Sequence, residues 1–363
     1  MEHAPVTAVI LAAGMGTRMR SDRPKPLHHL CGRPMVLYVV DALAALPVDR
    51  VVVVVGNRAD WVSKTVLEHA PEGLPLEFVE QVEQLGTGDA VKVALTCFGE
   101  DDPDDLVVLP GDTPLLRAPT IGGLVRMHRD QGAAATLLTA RVSVPAGYGR
   151  VVRGRDGRVA RIVEDGDATT EELAINEVNT SIYCFRRSLL APALSTLRPA
   201  NVQGEYYLTD VVDVLARAGH PVEATSVADP MEVAGVNDRA QLSVAEAELR
   251  DRINERWMRR GVTMWDPERT YVDAAASLAS DVVLRPGTMV LGTTKVARGA
   301  ELGPNAELED CEVGEGAVVS TVVAKHATIG AGARVGAFAN LEEGAVVEAG
   351  EVVPAHATVP ARR

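Results

Sequence analysis

Aliphatic side chains recur at every sixth position through much of the last third of the chain. They are Leu278, Leu284, Val290, Val296, Leu302 and Leu308 and, after an irregular stretch, Ile329, Val335, Leu341, Val347, Val353 and Val359. A strand that alternates with period two does not sustain this spacing. The pattern is typical of a hexapeptide parallel β-helix, in which each repeat forms one flat side of a three-sided coil. At about eighteen residues per coil, it predicts a short left-handed β-helix of about four to five coils.

The first 140 residues follow another pattern, in which apolar runs alternate with amphipathic ones. The runs that predict strands are TAVILAA, RVVVVVG, LEFVE, DLVVLPGD and AATLLTA. The amphipathic segments predict helices over 34–46, 60–70, 87–97 and 118–130. Continuous apolar strands separated by helices are typical of a mostly parallel sheet covered on both faces. We therefore expect a Rossmann-like α/β domain, whose ligands bind beyond the carboxyl ends of the strands.

Residues 141–230 predict an antiparallel addition to that sheet. The segment GYGRVVRGRDGRVARIVE contains two alternating strands around a turn at Asp156-Gly157, and VNTSIYCF predicts a further strand. Helices are expected around 187–197 and 208–217.

The segment 239–260 predicts one long helix before Gly261. Its apolar face carries Leu242, Leu249, Ile253 and Trp257. The expected organisation is an α/β domain over 1–238, a helical linker over 239–275 and the β-helix over 276–363.

The charge balance restricts the classes of partner. The chain of 363 residues has 36 basic and 50 acidic residues, a formal net charge of −14. This argues against nucleic acids and anionic membranes as partners, and any bound phosphate must meet a local basic cluster. The four cysteines lack a paired metal or redox spacing. The N-terminal residues lack leader features, and no apolar run approaches the roughly 18 residues of a membrane helix, so we expect a cytoplasmic protein.

The stretch LAAGMGTRMRSDRPKPLHHLCGRPM, residues 11–35, follows the first predicted strand and is rich in basic side chains. It lacks the third small residue of the dinucleotide fingerprint, because Met19 stands there, and it lacks the Gly-Lys-Ser/Thr of the Walker loop. In one interpretation, Gly14 and Gly16 let backbone amides approach phosphate oxygens while Arg18 and Lys25 supply positive charge. In the other, the stretch is a solvated turn whose basic residues are incidental.

This stretch resembles the signature of sugar-1-phosphate nucleotidylyltransferases. The resemblance continues in the family's order through EQLGTGDAV, PGDTPLL, GYGRV, IVEDGDAT, EVNTSIY, QGEYYLTD and VAGVNDR, and covers residues 6 to about 340. It is greatest to the uridylyltransferase half of the bacterial bifunctional N-acetylglucosamine-1-phosphate uridylyltransferase/glucosamine-1-phosphate acetyltransferases. The implied fold is a nucleotidyltransferase domain followed by a β-helix of hexapeptide repeats.

The reaction that this resemblance implies is attack by a sugar-1-phosphate oxygen on the α-phosphorus of a nucleoside triphosphate, with loss of pyrophosphate and with Mg²⁺ as cofactor. It implies catalytic roles for Arg18 and Lys25 and metal binding by Asp112 and Asn237. A carboxylate and a carboxamide supply two hard oxygen ligands, which suit Mg²⁺. This ion keeps most of its coordination positions for water and phosphate. From the residues alone, Asp112 can also be a surface turn aspartate, and Asn237 can be a helix N-cap.

Gln81 matches the family's base-reading glutamine. A carboxamide both donates and accepts, so it can pair with O4 and N3–H of uracil. Gly86 and Thr87 would complete the uridine site from the backbone. A polar strand end is the alternative interpretation of Gln81, and Gln84 is a rival for its role.

Gly149, Glu164 and Asn179 match the family's sugar-binding positions. Each of them alone favours a structural role, but together they favour an amino-sugar pocket. The remaining substrate-binding positions that the resemblance implies are Leu11, Ala12, Ala13, Gly14 and Gly111.

Five positions depart from the family pattern. Asp89 stands in place of a histidine, Met15 and Gly166 in place of frequent lysines, and Ser181 in place of a glycine. These changes near the cleft predict an altered base or sugar preference. Glu342 stands where the family has an arginine, and the later acetyltransferase motifs have no counterpart. We therefore expect no acetyl transfer, and expect the arm to assemble a homotrimer.

Three functional hypotheses follow. The leading one is Mg²⁺-dependent transfer from UTP to N-acetylglucosamine 1-phosphate. The second keeps the chemistry but uses GTP and a cyclitol or other sugar-like 1-phosphate, as in antibiotic or secondary metabolism. The third is a non-catalytic sugar-nucleotide sensor or assembly subunit, which the presence of all four charged and metal-binding residues argues against.

Overall fold

The computed structural model describes residues 6–99 and 102–362. Its contacts divide the chain into two units. The first contains the residues up to His28 and Pro34–Leu242, and the second contains His29–Arg33 and the residues from Ser243 onward.

The first unit is built on one large sheet. The strands up to Ser226 are β1 (Val6–Leu11), β2 (His29–Leu30), β3 (Arg33–Pro34), β4 (Val48–Val55), β5 (Leu76–Glu80), β6 (Asp105–Pro110), β7 (Ala135–Arg141), β8 (Arg150–Arg153), β9 (Val159–Val163), β10 (Glu177–Arg186) and β11 (Val222–Ser226). Strands β2 and β3 pair with each other in a separate two-stranded sheet, and His29–Arg33 belong to the second unit. The sheet order is β11-β7-β10-β6-β1-β4-β5, and β8 extends it by pairing with β10 and β9. Strands β1, β4, β5 and β6 pair in parallel, whereas β10 is antiparallel to both of its neighbours. The predicted mostly parallel sheet is confirmed, and so is the antiparallel hairpin, as β8 and β9.

Apart from α5, which the sequence reasoning did not predict, the helices agree with the predicted segments to within a few residues. They are α1 (Met35–Ala44), α2 (Ala59–His69), α3 (Thr87–Ala94), α4 (Ala118–Asp130), α5 (Thr170–Leu173), α6 (Arg187–Thr196), α7 (Asp210–Arg217) and α8 (Arg239–Met258). The helix expected over 87–97 is α only to Ala94 and closes as a 3-10 turn, Leu95–Cys97. The helix expected over 208–217 begins at Asp210.

The sheet is buried on both faces. On one face, Ala8 and Ile10 of β1 pack in a cluster with Val36 of α1 and Leu124 of α4. On the other face, Val9 lies in a cluster formed with α3, α6 and α7. Successive β1 side chains therefore enter opposite layers, as the pleat requires. This explains why the strand is apolar throughout rather than alternating.

The second unit is the left-handed parallel β-helix that the hexapeptide period predicts. Its strands are β12 (Thr263–Met264), β13 (Tyr271–Val272), β14 (Ser277–Leu278), β15 (Val283–Leu284), β16 (Met289–Leu291), β17 (Lys295–Val296), β18 (Glu301–Leu302), β19 (Glu307–Glu309), β20 (Glu312–Val313), β21 (Val318–Val319), β22 (Val323–Lys325), β23 (Thr328–Ile329), β24 (Arg334–Val335), β25 (Asn340–Leu341), β26 (Val346–Val347), β27 (Val352–Val353) and β28 (Thr358–Val359). They form parallel sheets of six, four, five and two strands.

All the aliphatic residues of the six-residue period are buried except Val359, which is half-buried. Coil partners lie eighteen positions apart where Leu284 pairs with Leu302, but sixteen apart where Val313 pairs with Ile329. The irregular stretch therefore contains shorter turns but no break in the stack.

The stacked strands begin at Thr263, ahead of residue 276, and the longest sheet has six levels where the period count predicted four to five coils. Helix α8 ends at Met258, so its C-terminal end lies close in sequence to the first coil. The predicted face of α8 buries Leu249, Ile253 and Trp257, but Leu242 is only half-buried. Asn254 of α8 is fully buried and donates to the carbonyls of Pro267 and Thr270, at 2.9 Å each.

Candidate active site

The central strands β1 and β6 deliver their carboxyl ends side by side. Leu11 lies opposite Pro110, and the Gly111 amide donates to the Leu11 carbonyl at 2.9 Å. A Cβ at Gly111 would lie 3.2 Å from that carbonyl oxygen, which is tight contact. Ala12 in turn donates to the Val54 carbonyl of β4 at 2.9 Å. The expected substrate-binding segments 11–14 and 111–112 therefore lie at the same edge of the sheet.

The two glycines of the opening loop serve different purposes. Gly16 has a φ of 61°, and a Cβ there would lie 2.7 Å from Lys25 Cβ, so the loop itself requires glycine. A Cβ at Gly14 would meet no described atom within 4 Å, and Gly14 is exposed. Packing does not explain Gly14, and the space beside its backbone is open to a ligand.

The loop carries Arg18 and Lys25 to one asparagine. Asn237 Oδ1 accepts from Arg18 Nη2 at 3.0 Å and from Lys25 Nζ at 2.8 Å. Buried Met19 lies between the two basic residues in sequence, and its carbonyl accepts from Arg239 Nε at 3.2 Å. The basic side chains of the loop therefore point to a defined place in the first unit, contrary to the interpretation as an incidental solvated turn.

Asp112 and Asn237 lie together. The Val236 amide donates to the Asp112 carbonyl at 2.9 Å, which fixes the chain one residue before Asn237. Lys25 Nζ donates to Asp112 Oδ2 as well as to Asn237 Oδ1. The two oxygens therefore converge on one cationic atom, as the ligands of a divalent cation must. Among the described residues there is no group of three or more His, Cys, Asp or Glu arranged to hold a metal.

Asp238, rather than Asn237, caps the start of helix α8. Asp238 Oδ1 accepts from the Gln241 amide at 2.8 Å in the first turn of α8. Gln241 Oε1 accepts from the Asn237 amide at 2.7 Å. Asp238 satisfies the N-terminal amide, and the Asn237 side chain is left to the Lys25 and Arg18 contacts.

Gln81 follows β5 and is 4% exposed. Its amide nitrogen donates to the Gly86 carbonyl at 3.1 Å and to Asp89 Oδ2 at 2.8 Å. The expectation that Gln81 offers both donor and acceptor to uracil therefore needs correction, because its donor is used within the protein. Gln84, the rival, is exposed and donates to the Gln81 carbonyl at 3.3 Å.

Gly86 and Thr87 are held against the segment 205–208. Gly86 has a φ of 112°, and a Cβ there would lie 2.6 Å from the Tyr206 carbonyl oxygen. Thr87 Oγ1 accepts from the Leu208 amide at 3.1 Å. This junction uses the QGEYYLTD motif, to which the sequence reasoning gave no site role.

Glu164 lies at a pocket formed with that same motif. The pocket is lined by residues that include Leu11, Thr87, Ser181, Tyr207 and Thr209. Glu164 Oε1 accepts from Thr209 Oγ1 at 3.0 Å, and a Cβ at Gly149 would lie 3.3 Å from Glu164 Oε2.

The charge of Glu164 is disfavoured in this position. Burial raises the pKa of its carboxyl above the ordinary value, and the negative charges of Asp210, Asp167 and Asp165 raise it further, while the Thr209 hydrogen bond acts in the opposite sense. A sugar hydroxyl that donates to Glu164 would favour the ionised form.

Asn179 is buried and has both polar atoms engaged within the protein. Nδ2 donates to Tyr183 Oη at 2.8 Å, and Oδ1 accepts from the Ser181 amide at 3.3 Å. Ser181 has a φ of 60°, a left-handed conformation that explains the glycine which the family has there. Asn179 bonds to Tyr183, which lines the pocket beside Glu164, whereas Asn179 is not among the residues that line it. The direct sugar contact of Asn179 stays a prediction.

Tyr148, in the GYGRV motif, precedes Gly149. Burial raises the pKa of its hydroxyl, and the negative charge of Asp112 raises it further. The electrostatic influence of Asp112 thus extends to the segment that contains Gly149.

Comparisons with known proteins identify the family of this chain. The MobA-like NTP transferase domain family matches residues 8–201, more than half of the chain. The bifunctional protein GlmU of Halalkalibacterium halodurans is 47% identical over 323 residues, which cover 89% of this chain and 70% of the relative. The chain belongs to the GlmU family. GlmU of Clavibacter sepedonicus is 47% identical over 328 residues, covering 90% of this chain and 66% of that protein.

Solved structures show the same fold as the GlmU-type domain described above. HddC from Yersinia pseudotuberculosis is 20% identical with a TM-score of 0.51, over 67% of this chain and 99% of that one. A UDP-glucose pyrophosphorylase complexed with UDP-glucose is 14% identical with a TM-score of 0.55, over 69% of this chain and 100% of that one. Family and fold together make this GlmU-family chain a nucleotidyltransferase. In its described part, no helix is long and apolar enough to cross a bilayer.

Proposed function

We propose that this chain transfers a nucleotidyl group from a nucleoside triphosphate to a sugar 1-phosphate, with UTP and N-acetylglucosamine 1-phosphate as the favoured pair. The observation that carries the proposal is the convergence of Arg18, Lys25, Asp112 and Asn237 beyond the carboxyl ends of β1 and β6. Two cations and two oxygen ligands at one point suit a reaction in which negative charge moves between phosphates.

The reaction requires no covalent enzyme intermediate. An oxygen of the sugar 1-phosphate forms a bond to the α-phosphorus, the bond from that phosphorus to the bridging oxygen breaks, and pyrophosphate leaves with the electron pair. The open side of Gly14 would admit the triphosphate to the backbone amides. Arg18 and Lys25 would bind its oxygens and stabilise the charge that develops on the leaving pyrophosphate.

Asp112 and Asn237 fit Mg²⁺. Their oxygens already share one cationic contact, the Lys25 ammonium, so they can face a single ion. One carboxylate and one carboxamide leave most of an octahedral shell for water and phosphate oxygens, which is how proteins usually bind Mg²⁺. When bound, the ion supplies neutralisation of phosphate charge.

The pocket beside Glu164 would hold the acceptor. The Glu164 carboxylate can accept from sugar hydroxyls, and glycine at position 149 avoids a Cβ that would lie 3.1 Å from Ile162 and 3.3 Å from Glu164. Asn179 supports this wall through Tyr183. The pocket chemistry suits a hydroxylated ring in general, so a cyclitol 1-phosphate with GTP is the second candidate pair. The Gln81 oxygen is an acceptor that N3–H of uracil and N1–H of guanine can both meet, so it does not decide between the two pairs.

Acetyl transfer is not part of the proposed function. Glu342 Oε2 accepts from the Ala361 amide at 3.0 Å, so a carboxylate engaged with the backbone occupies the position of the family's arginine. An assay with acetyl-CoA and glucosamine 1-phosphate tests this directly, and we expect no acetylated product.

We expect a homotrimer through the β-helix. Val323, Phe338 and Val352 are outward-facing apolar side chains that are 59%, 64% and 66% exposed. Light scattering should give about three times the chain mass of 38.5 kDa. A monomeric mass would contradict this assignment.

The deciding experiment is pyrophosphate release from the purified chain with Mg²⁺, crossing UTP, GTP, CTP, ATP and dTTP with a panel of sugar and cyclitol 1-phosphates. Asp112→Asn should abolish release, and Asp130→Asn, at an exposed position at the end of α4, should not. Release with no pair would overturn the proposed function. Release with GTP and a cyclitol phosphate only would move the assignment to the second pair.

A further inference from the structure

The carboxylate of Asp89 contacts the side chain proposed to read the base. Asp89 lies in the first turn of α3, and its Oδ2 accepts from Gln81 Nε2 at 2.8 Å. The second hydrogen of the same nitrogen goes to the Gly86 carbonyl at 3.1 Å. The Gly86 carbonyl also accepts from the Ala90 amide at 3.1 Å, so it is fixed in the helix start.

The chemistry of these contacts allows Gln81 only one orientation. An ionised carboxylate and a backbone carbonyl accept hydrogen bonds and donate none. A reversed carboxamide would place its oxygen against two acceptors and lose both hydrogen bonds.

The oxygen of Gln81 is left for a ligand. Within residues 6–99 and 102–362, Oε1 receives no hydrogen bond, although Gln81 is 4% exposed. Gln81 Oε1 remains accessible to solvent, since it is not among the solvent-inaccessible side-chain atoms of the described residues that lack a hydrogen-bond partner. A buried carboxamide oxygen that still opens to solvent is a place for a donor group.

We propose that Asp89 is a specificity-determining positioning residue, which holds Gln81 as an acceptor so that the site selects nucleotides with a ring N–H. This inference rests on the proposed function, since it takes Gln81 as the base-reading residue. Uracil offers N3–H and guanine offers N1–H, whereas the corresponding ring nitrogens of cytosine and adenine carry a lone pair that would face the Gln81 oxygen. In this chain the O4 of uracil receives no hydrogen bond from Gln81.

Two uridine analogues test which atom Gln81 reads. N3-methyl-UTP removes the donor, and 4-thio-UTP weakens the acceptor at position 4. We expect kcat/KM to fall at least about tenfold with N3-methyl-UTP and less than about twofold with 4-thio-UTP. The reverse order would overturn the proposal.

Asp89→Asn tests the role of the carboxylate. An asparagine can donate as well as accept, so it lets the Gln81 carboxamide rotate and present its N–H. We expect the UTP-over-CTP ratio of kcat/KM to fall about fivefold or more. The matched control is Asp60→Asn, which removes a carboxylate from the first turn of α2 and should leave the ratio unchanged. If Asp89 had a purely structural role, the substitution would lower kcat/KM equally for UTP and for CTP. An unchanged UTP-over-CTP ratio would therefore overturn the inference.

Equilibrium binding separates this inference from the proposed reaction. Calorimetric titration of the wild type and Asp89→Asn with UTP and with CTP needs no turnover. The wild type could be inactive and still bind UTP more tightly than CTP, with this preference lost in Asp89→Asn. That result would overturn the proposed function and support the role of Asp89. An equal preference in both proteins would overturn the inference whatever the activity. Binding of neither nucleotide would overturn both.

Discussion

Lys25 and Asn237 lie 212 positions apart in the chain, yet the Lys25 ammonium donates to Asn237 Oδ1 at 2.8 Å. The same ammonium donates to Asp112 at the end of β6. The sheet order makes this possible, because β1 and β6 are parallel neighbours and the segment before α8 is bonded to Asp112 through the Val236 amide. The ammonium and a metal ion cannot both occupy the space between these oxygens. We therefore expect Lys25 to exchange this contact for phosphate oxygens when substrate and metal bind.

Lys25→Met should lower kcat for pyrophosphate release by about a hundredfold, because it removes a charge aimed at the transferring phosphates while keeping most of the side-chain volume. Steady-state kinetics with saturating Mg²⁺ measure the effect. The control is Lys64→Met on α2, where the lysine side chain is 74% exposed and pairs with Glu68. A Lys25→Met variant with more than a third of the wild-type kcat would remove Lys25 from the catalytic machinery.

Asn237→Ala should raise the Mg²⁺ concentration for half-maximal rate about tenfold, since it deletes one of the two protein oxygens that we propose as ligands of the ion. Its neighbour supplies the contrast. Asp238→Ala removes the acceptor for the Gln241 amide and should lower the free energy of unfolding by about 1 kcal/mol with the Mg²⁺ dependence unchanged. Mg²⁺ titrations and urea unfolding of both variants separate the two roles. Equal Mg²⁺ shifts in both variants would show that residue 237 acts only through the helix start.

Glu164→Gln should change the pH dependence of stability. Burial holds the folded-state pKa of Glu164 above the ordinary 4.5, so the folded carboxyl keeps its proton to higher pH than the unfolded one. Stability is therefore lost as the pH rises from about 4.5 through the folded-state pKa. A glutamine does not titrate. In urea unfolding, the free energy of unfolding of Glu164→Gln should therefore rise relative to that of the wild type as the pH goes from acid to neutral.

Glu177 supplies the opposite case. The hydrogen bond from Arg153 is the main cause that lowers the pKa of Glu177, with Oε2 accepting from Arg153 Nε at 2.9 Å. Its contribution to stability is present above the ordinary pKa and is lost as the pH falls through the lowered one. Glu177→Gln should therefore be most destabilised near neutral pH and approach the wild type in acid. Parallel pH trends for the two variants would contradict the assignment.

The order of strands and helices and the β-helix could be predicted from the sequence because their signals are local. The buried faces of β1 and of the hexapeptide repeat are written in the spacing of apolar residues. The insertion of antiparallel β10 between β6 and β7 has no such signal, since it depends on which distant strands pair. The six-residue period is interrupted by shorter steps that lead to Val313 and Ile329. The sequence pattern therefore did not show that the stack of coils is continuous there.

The residues of the site were predictable by motif, but their contacts were not. Asn237 and Asp238 are both good capping residues, and only the Gln241 amide decides between them. The Gln81 side chain has both a donor and an acceptor, but Asp89 in the first turn of α3 accepts a hydrogen bond from the donor. Asn179 lies in its expected motif, yet Tyr183 and Ser181 occupy its polar atoms. Each outcome depends on side-chain geometry across elements, which spacing along the chain does not encode.

Alanine at Gly14 and at Gly16 should separate a ligand role from a loop role. Gly16→Ala places a Cβ 2.7 Å from Lys25 Cβ at a φ of 61°, so we expect the free energy of unfolding to fall by about 1–3 kcal/mol and the activity to fall with it. Gly14→Ala meets no described atom within 4 Å, so stability should change by less than about 0.5 kcal/mol. The added methyl group would nevertheless stand where the triphosphate approaches the backbone, and KM for the nucleotide should rise about tenfold.

Gly73→Ala is the matched control for backbone strain. It has a φ of 80° with no described atom within 4 Å of the added Cβ, and it lies in the loop before β5. Gly73→Ala should lower the free energy of unfolding, because alanine is strained in the left-handed backbone conformation, while its kinetic constants stay at wild-type values. If Gly14→Ala also kept the wild-type KM, the open side of that glycine would not be where phosphate binds. The triphosphate would then have to be held by the Arg18 and Lys25 side chains without the backbone amides of the loop.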